Sequence, residues 1–264
     1  MDSFDDRMKV AIKAAKKAGK YLMDVLPQDR DINKKGVVDL VTEADYKSEK
    51  MIYDIITQAY PDDRFLAEEG TVTDSGSDLI WIVDPLDGTI NYAHRFPFFC
   101  VSIALVKENQ PLLACIYNPI LDECFTALKG KGTYLNGKPA NVSANSKLID
   151  SLLATGFPYD VRESEADNMN NFIIFYKKGA QTVRRAGSAA LDLAYVACGR
   201  FDGFWEFKLH AWDIAAGILL VEEAGGRVTD FEGGDIDLFK GEVLASNGAI
   251  HSQMQKIFKE VEKL

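Results

Sequence analysis

Two segments near the start of the chain carry apolar residues at helical spacing. The first predicts an amphipathic helix that ends near Pro27, with lysines on its solvent-facing side. A polar loop over residues 28–36 and a short strand over residues 37–41 are expected next, and Thr42 is predicted to cap a second helix that has Asp45 in its first turn. The apolar positions are Phe4, Met8, Ile12, Ala15, Gly19, Leu22 and Leu26 in the first helix and Ile52, Ile55, Ile56 and Ala59 in the second.

Short apolar segments then follow one another closely and predict strands. One such segment runs directly into Glu68, and another runs into Asp84 and Pro85. Because proline has no amide N–H for a strand ladder, strand pairing is expected to stop at Asp84. The predicted strands cover residues 65–67, 81–84, 97–107, 112–117, 123–128 and 133–134, and an Asn136-Gly137 turn follows the last of them. The first half is therefore predicted to pack two helices on a mostly antiparallel sheet.

The second half of the chain alternates between predicted strands and predicted helices. The strands cover residues 152–156, 182–185, 201–207, 227–230 and 243–246, and the helices cover residues 165–177, 189–198, 214–224 and 251–264. This alternation predicts an α/β part that follows the α+β part. Because residues 140–152 are polar and irregular, we expect a domain boundary there, with one domain over residues 1–145 and a second over residues 146–264.

Composition narrows the classes of function. The chain has 264 residues, 47% of them apolar, and a formal net charge of -10. This charge disfavours a nucleic-acid-binding protein, because such proteins need a basic face to neutralise phosphates. The four cysteines show no CxxC spacing, so reduced core thiols are expected rather than a zinc site or a disulfide framework. The acidic N-terminus lacks an apolar signal core and no segment has the length of a membrane-spanning helix, which predicts a soluble cytoplasmic protein.

The segment from Asp84 to Thr89 is the main candidate for chemistry. It places two carboxylates three residues apart at the end of a strand, followed by Gly88, which allows a tight turn or a close approach to a ligand. Such crowding of acidic groups favours a bound cation, although Asp, Pro and Gly are also common in ordinary polar turns. A second acidic centre, Asp213, lies at or near the start of a predicted helix, where capping alone explains an aspartate and where ligands also bind.

Taken together, these segments resemble the inositol monophosphatase family, which comprises magnesium-dependent, lithium-sensitive phosphatases related to fructose-1,6-bisphosphatase. The matching segments are Glu68-Glu69, Asp84-Pro85-Leu86-Asp87-Gly88-Thr89-Ile90-Asn91, Trp212-Asp213-Ile214-Ala215-Ala216-Gly217 and Glu223-Ala224-Gly225-Gly226. Their order and spacing match across nearly the whole chain, and Gly187-Ser188-Ala189-Ala190-Leu191-Asp192 resembles the bacterial branch. The resemblance implies a layered αβαβα sandwich and a homodimer.

The same resemblance implies a role for each matched residue. The implied ligands of two divalent ions are Glu68, Asp84, the Leu86 carbonyl oxygen, Asp87 and Asp213, and Asp45 would help to hold a third, weaker ion. An all-oxygen ligand set selects hard ions, so Mg²⁺ is expected, with Mn²⁺ as a substitute. The implied substrate contacts are Asp87, Gly88, Thr89, Ser188, Ala189, Glu206 and His210.

The implied reaction is hydrolysis of a small phosphate monoester such as inositol 1-phosphate by a metal-activated water. In this hypothesis Glu68 holds the ion that carries the water, the Thr89 hydroxyl hydrogen-bonds that water, and Asp45 orients Thr89. Backbone N–H groups of Gly88 and Thr89 would hold the phosphate. Arg185 is interpreted first as a surface or subunit contact; as an alternative it would reach a second phosphate.

Other functions on the same fold stay open at this point. The alternatives within enzymes are phosphatases for fructose 1,6-bisphosphate, NADP, adenosine 3′,5′-bisphosphate or histidinol phosphate. An alternative from another class is a phosphatase-like protein that acts mainly as a regulatory binding partner.

Overall fold

The first layer of the fold consists of two helices, α1 (Phe4–Asp24) and α2 (Gly36–Ala59). They come from a computed structural model that describes residues 4–26, 36–158 and 168–261. α1 ends shortly before Pro27, as predicted, whereas residues 28–35 of the predicted loop lie outside the described residues. α2 begins at Gly36, so the strand predicted over residues 37–41 is wrong and Thr42 does not cap the helix.

The β-branched valines that suggested this strand have only a weak and context-dependent preference for it. Once a helix is nucleated, each further residue adds a hydrogen bond, so a helix readily extends through such residues. Asp45 therefore lies in the third turn of α2 rather than in the first. Most of the predicted apolar face is present, because Ile52 and Ile56 are buried and Ile55 is half-buried, but the prediction is wrong for Ala59, which is exposed at the last position of the helix.

The second layer is an eight-stranded sheet with the strand order β2-β1-β3-β4-β5-β6-β7-β8. Its strands are β1 (Arg64–Ala67), β2 (Val72–Thr73), β3 (Leu79–Asp87), β4 (Cys100–Lys107), β5 (Gln110–Asn118), β6 (Glu123–Leu128), β7 (Thr133–Leu135) and β8 (Lys138–Ala140). Strands β3 to β8 form the predicted antiparallel meander. β1 instead pairs in parallel with β3, which the local sequence pattern did not indicate.

The end of β3 departs from the prediction in one respect. Regular pairing with β4 is interrupted after Asp84, as expected before a proline, but Asp87 pairs again with Cys100. The strand therefore passes through Pro85 by means of an irregularity in the register, which removes the need for an N–H from proline. A short helix, α3 (Thr89–Ala93), follows immediately.

The second sheet has five strands in the order β10-β9-β11-β13-β12. Its strands are β9 (Leu152–Thr155), β10 (Thr182–Arg184), β11 (Gly203–Glu206), β12 (Arg227–Thr229) and β13 (Val243–Ser246). The alternating helices are α4 (Met169–Ile174), which continues as a wider turn over Phe175–Gly179, α5 (Ala189–Ala197), α6 (Ala211–Glu223) and α7 (His251–Val261). The predicted α/β alternation is thus confirmed; residues 165–167 and 262–264 of two predicted helices lie outside the described residues.

Three apolar clusters hold five layers together. α1 and α2 pack on the outer face of the first sheet, and α4 and α7 pack on the outer face of the second sheet. α5 and α6 lie between the two sheets, in a cluster that contains Ile82 and Phe125 from the first sheet and Phe204 from the second. The arrangement is the αβαβα sandwich implied by the resemblance.

The predicted domain boundary at residues 140–152 stays a prediction. The first sheet ends at Ala140 and the second begins at Leu152, yet the central cluster joins residues from both sides. Three cysteines are buried and the fourth is half-buried, and all four are free thiols, as predicted. Within the described ranges, no helix is both long enough and apolar enough to cross a membrane.

Candidate active site

A cleft of about 410 Å³ opens where strand ends and helix starts from both halves of the chain meet. The predicted site residues that line it are Glu68, Asp84, Leu86, Asp87, Gly88, Thr89, Arg185, Ser188, Ala189, Glu206, His210 and Asp213. Asp45 is buried behind this lining rather than in it. The fold therefore brings together residues that are up to 145 positions apart in the sequence (Glu68 to Asp213).

Glu68 and Asp84 lie side by side because their strands are parallel. Ala67 of β1 is in register with Val83 of β3, and the Glu68 N–H donates to the Val83 carbonyl oxygen at 3.3 Å. Glu68 and Asp84 are the residues that come directly after this last parallel pair, so they lie next to each other at the same edge of the sheet. The Asp84 side chain is held by the Leu86 N–H, which donates to Asp84 Oδ1 at 2.9 Å.

Asp87 is held by the start of α5. The Ser188 hydroxyl donates to Asp87 Oδ2 at 2.6 Å, and the Ala190 N–H donates to the same oxygen at 2.8 Å. Ser188 also caps α5, because its hydroxyl oxygen accepts the Leu191 N–H at 3.3 Å. The predicted substrate contact Ser188 thus connects the middle helix layer to the acidic loop after β3.

Gly88 makes the turn that follows Asp87 possible. Its φ is +93°, a left-handed conformation that glycine adopts without strain. A Cβ at this position would lie 2.9 Å from the Phe98 carbonyl oxygen, which is too close for any side chain. The tight turn and the close approach expected at Gly88 are both found.

Asp213 occupies the first turn of α6. The helix begins three residues earlier than predicted, so His210 and not Asp213 is the cap residue, and Asp213 Oδ2 instead accepts the His210 N–H at 2.6 Å from the third helical position. The exposed His210 ring stacks on Trp212, with ring centroids 4.7 Å apart. Asp213 also lines the cleft, so one side chain stabilises the helix start and faces the other acids.

Burial and mutual repulsion raise the pKa values of the acidic groups in the cleft. Burial, and then the charges of Asp213 and Asp87, raise the pKa of Glu68 to about 7. Burial, and then the charge of Asp213, raise the pKa of Asp87 to about 7. Burial raises the pKa of Asp213 to about 6, and it raises the pKa of Asp84 well above its ordinary value. Several neighbouring carboxylates that resist ionisation together are the electrostatics expected of a site that binds divalent cations.

Asp45 is buried, with a pKa raised to about 9 by burial and by Glu69, Glu68 and Glu49. Its Oδ1 has no hydrogen-bond partner among the described residues. The Thr89 hydroxyl donates instead to the Leu86 carbonyl oxygen at 3.1 Å. Thr89 is therefore oriented by Leu86 in this structure, and the contact between Asp45 and Thr89 stays a prediction.

Two residues of α2 support the site although sequence reasoning gave them no role. The Glu49 carboxylate accepts the Glu69 N–H at 2.8 Å and the Thr71 N–H at 3.2 Å, and thereby holds the loop that carries Glu68. The Ser48 hydroxyl donates to the Pro85 carbonyl oxygen at 2.9 Å. A signal for both was present, because they follow Asp45 at helical spacing on the face that also buries Ile52.

Asn91, at the end of the recognised segment, ties it to the start of α5. Its Nδ2 donates to the carbonyl oxygens of Phe98 at 2.7 Å, Ala186 at 2.9 Å and Gly187 at 3.2 Å. Nothing in the local sequence indicates these partners, since two of them are about a hundred residues away. Asn91 thus fixes the acidic loop relative to Ser188.

The donor set fits a hard divalent ion. All the candidate ligands are oxygens, and the unpartnered Oδ1 of Asp45 adds a further buried donor. In the described ranges, no three Asp, Glu, His or Cys side chains lie close enough together to hold one metal ion as they stand. The acidic side chains line the cleft without forming a closed ligand cluster.

The opposite wall of the cleft carries Glu206 and Arg185. Burial, and then the charges of Asp213 and Asp87, raise the pKa of Glu206 to about 8, against the opposing charge of Arg185. Arg185 is exposed and also lines the cleft. Its position is therefore compatible with both predicted roles, a surface contact and a contact to substrate. Its contact to a second phosphate stays a prediction.

A layered αβαβα sandwich with an acidic cleft between its two halves defines a class of metal-dependent hydrolases. The chain belongs to the inositol monophosphatase family, whose model matches residues 4–263. It is 42% identical to inositol monophosphatase 2 of Solanum lycopersicum over 270 residues, which cover 99% of this chain and 100% of that protein. It is 42% identical to Nus factor SuhB of Pseudomonas aeruginosa, with 91% of each chain covered. The solved inositol monophosphatase of Anabaena (Nostoc) sp. superposes with a TM-score of 0.89 at 41% identity, over 97% of this chain and 96% of that chain.

Proposed function

We propose that this chain is a Mg²⁺-dependent phosphomonoesterase that hydrolyses inositol 1-phosphate or a related small polyol phosphate. The observation that carries this proposal is the gathering of Glu68, Asp84, Asp87 and Asp213 in one cleft, with all four pKa values raised. Buried carboxylates that repel one another favour divalent cations, and a site with divalent cations attracts phosphate esters.

The proposed ligands of the ions are the four carboxylates and the Leu86 carbonyl oxygen, with Asp45 as part of a weaker third position. Two or three Mg²⁺ ions would be held, and Mn²⁺ would substitute because it also prefers oxygen ligands. When bound, such ions neutralise the phosphate charge, lower the pKa of the attacking water and stabilise the leaving oxygen.

The other residues of the cleft would orient the phosphate and the water. The Thr89 hydroxyl would hydrogen-bond the attacking water in exchange for its bond to the Leu86 carbonyl oxygen. Backbone N–H groups of Gly88 and Thr89 would hold the phosphate, since they lie at the start of α3 and line the cleft. Glu68 and Asp45 would act on the reaction through the ion positions that they complete.

The alcohol part of the substrate would meet Glu206, His210 and the backbone at Ser188 and Ala189. A carboxylate and an imidazole suit hydroxyl groups, because one accepts and the other both accepts and donates hydrogen bonds. Relatives named inositol monophosphatase, at 39% to 42% identity, support a polyol phosphate as the substrate class. The family resemblance also supports a lithium-sensitive, cytoplasmic homodimer.

The test is phosphate release in Mg²⁺ from a panel of substrates, each with and without lithium. The panel contains inositol 1-phosphate, fructose 1,6-bisphosphate, NADP, adenosine 3′,5′-bisphosphate and histidinol phosphate. We expect the fastest release from inositol 1-phosphate and its inhibition by lithium. Removal of Mg²⁺ with a chelator should abolish the release.

Two other outcomes would contradict this proposal in different ways. Faster release from a bisphosphate would favour a contact between Arg185 and the second phosphate. In that case, Arg185→Ala should lose the faster release. Arg184→Ala is the matched control, because Arg184 is exposed, hydrogen-bonds Thr182 and does not line the cleft. No release from any substrate would favour a regulatory binding protein.

A further inference from the structure

Glu206 lies at the end of β11, and its position depends on the neighbouring strand. β11 pairs in parallel with β9, with Trp205 in register with Thr155. The next residues, Glu206 and Gly156, therefore project at the same sheet edge, and both line the cleft. The wall that would face the alcohol part of a substrate is thus built from two adjacent strand ends.

Gly156 leaves the room that the Glu206 carboxylate occupies. A Cβ at residue 156 would lie 2.0 Å from Glu206 Oε1 and 2.2 Å from Oε2. These distances are far below van der Waals contact, so any side chain at residue 156 would displace the carboxylate. Gly156 is not among the glycines with positive φ, so its backbone conformation does not require glycine. Glycine is required there because the Glu206 carboxylate occupies the space of a side chain.

Asn168 holds the same two strand ends together. Its Nδ2 donates to the Thr155 hydroxyl oxygen at 2.9 Å and to the Gly156 carbonyl oxygen at 2.6 Å. Its Oδ1 accepts the Trp205 Nε1–H at 2.9 Å, and the Thr155 hydroxyl donates to the Trp205 carbonyl oxygen at 2.6 Å. Asn168 is only 3% exposed, so water does not replace these bonds.

We propose that Gly156 and Asn168 are specificity-determining positioning residues that hold the Glu206 carboxylate at the alcohol end of the cleft. This inference rests on the proposed function. A carboxylate fixed at this place accepts a hydrogen bond from a substrate alcohol that presents a hydroxyl group to it. An ester without such a donor leaves the carboxylate unpaired, and sites of this kind discriminate strongly against such ligands. Asn168 does not line the cleft and Gly156 presents no side chain to it, so both act through Glu206.

The experiment compares Gly156→Ala, Asn168→Gly and Asn168→Asp with Glu206→Gln as the reference. KM and kcat are measured for inositol 1-phosphate and for p-nitrophenyl phosphate, which has no hydroxyl, in saturating Mg²⁺. We expect KM for inositol 1-phosphate to rise about tenfold in all four variants, which corresponds to about 1.4 kcal/mol. In Gly156→Ala and the two Asn168 variants, the kcat values and both constants for p-nitrophenyl phosphate should stay near those of the wild type.

The asparagine variants separate the side-chain bonds from the backbone. Asn168 has φ +64°, which glycine and aspartate both tolerate, so neither replacement strains the chain. Aspartate keeps the acceptor for Trp205 but lacks the two N–H donors to Thr155 and Gly156, so Asn168→Asp should resemble Asn168→Gly. If Asn168 variants melt below the assay temperature, Gly156→Ala decides the question, because it changes only the space around Glu206.

Asn118→Ala is the matched control. Asn118 is also buried and hydrogen-bonded through its side chain, to the Ile120 N–H at 3.0 Å, but it does not line the cleft. This variant should lower the melting temperature and leave both KM values unchanged. Equal losses on the two substrates, or an unchanged KM for inositol 1-phosphate in Gly156→Ala, would overturn the inference while the proposed function stands. Wild-type protein that releases phosphate from neither substrate would overturn both.

Discussion

At the scale of single residues, Asp213 meets two requirements with one carboxylate. Its Oδ2 accepts the His210 N–H at the start of α6, and its side chain lines the acidic cleft. Local sequence predicts only the first of these, since any aspartate in a first helical turn is explained by the unpaired N–H groups there. The second depends on Glu68 and Asp87, which only the fold brings near.

We expect Asp213→Asn, like Asp87→Asn, to lose turnover by several orders of magnitude and still fold. The amide keeps the size of the carboxylate but removes a charge that divalent ions require. In the metal-free protein, Asp213→Asn should raise the melting temperature, because it relieves repulsion with buried Glu68. Measurements of kcat and of thermal unfolding in a chelator test both parts.

Asp78→Asn is the control for this pair. Asp78 is 73% exposed and pairs with Lys107 away from the cleft, so its loss should change neither quantity appreciably. Near-normal turnover in Asp213→Asn and Asp87→Asn would contradict the assignment of these residues as ligands.

The residues that sequence reasoning found and those it missed differ in a physical way. Asp84, Asp87, Gly88 and Thr89 are contiguous in the chain, so their joint chemistry is visible in the sequence itself. Supporting residues such as Glu49 act on backbone N–H groups twenty or more positions away. Every residue type offers those N–H groups, so no sequence pattern identifies the partner.

At the scale of elements, the contact between α5 and α6 sets the distance between two parts of the site. α5 brings Ser188 to Asp87, and α6 brings Asp213. A Cβ at Gly217 of α6 would lie 2.5 Å from the Leu193 Cβ of α5, so the helices approach as closely as glycine allows. A run of small residues in the sequence indicates such close packing, but it does not indicate which helix is the partner.

We therefore expect Gly217→Ala to weaken Mg²⁺ binding as well as to destabilise the fold. The added methyl group forces α5 and α6 apart, at a cost of about 1–3 kcal/mol for an overpacked core. Asp213 lies one turn before Gly217, so the displacement reaches the ligand set. Calorimetric titration with Mg²⁺ and denaturant unfolding measure the two effects.

Gly19→Ala is the matched control for Gly217→Ala. Gly19 also lies inside a helix, and a Cβ there would lie 2.7 Å from the Tyr117 ring. The affected contact is between α1 and β5 on the outer face of the first sheet, so the fold should lose stability while Mg²⁺ affinity is preserved. An equal loss of Mg²⁺ affinity in both variants would show that α5–α6 spacing has no special role.

At the scale of the whole molecule, two sheets share one layer of helices. Strand spacing predicted the antiparallel meander, and alternation predicted the α/β part, because both patterns are local. The parallel pairing of β1 with β3 and the burial of α5 and α6 between the sheets depend on contacts between distant segments. The five-layer arrangement therefore followed from the family resemblance and not from periodicity.

The buried acids make the stability of the metal-free protein depend on pH in a predictable direction. The pKa values of Glu68, Asp87 and Asp213 are raised in the folded state to about 7, 7 and 6. The folded state then binds more protons than the unfolded state, and this extra proton binding stabilises the fold. The stabilisation is complete below the unfolded pKa values near 4 and is lost as pH rises through about 7. The free energy of unfolding in a chelator should fall over this window.

Saturating Mg²⁺ should remove most of that fall, because the ions favour the ionised carboxylates of the folded state. Denaturant unfolding at several pH values between about 5 and 8, with chelator and with Mg²⁺, gives the comparison. Asp213→Asn in chelator should show a shallower dependence than the wild type. Identical pH dependence with and without Mg²⁺ would contradict the assignment of these acids to a common ion site.

The backbone N–H groups around the acidic loop also limit how its aspartates can coordinate. The Leu86 N–H occupies Asp84 Oδ1, and the Ser188 hydroxyl and the Ala190 N–H occupy Asp87 Oδ2. One oxygen of each aspartate is thus fixed by hydrogen bonds from the protein. Mg²⁺ accepts six ligands in a strict octahedron and often keeps its waters, whereas Ca²⁺ takes up to about eight oxygens and commonly uses both oxygens of one carboxylate. The hydrogen bonds that orient these side chains also restrain their rotation, and restrained carboxylates suit the strict octahedron of Mg²⁺ better than the flexible coordination of Ca²⁺.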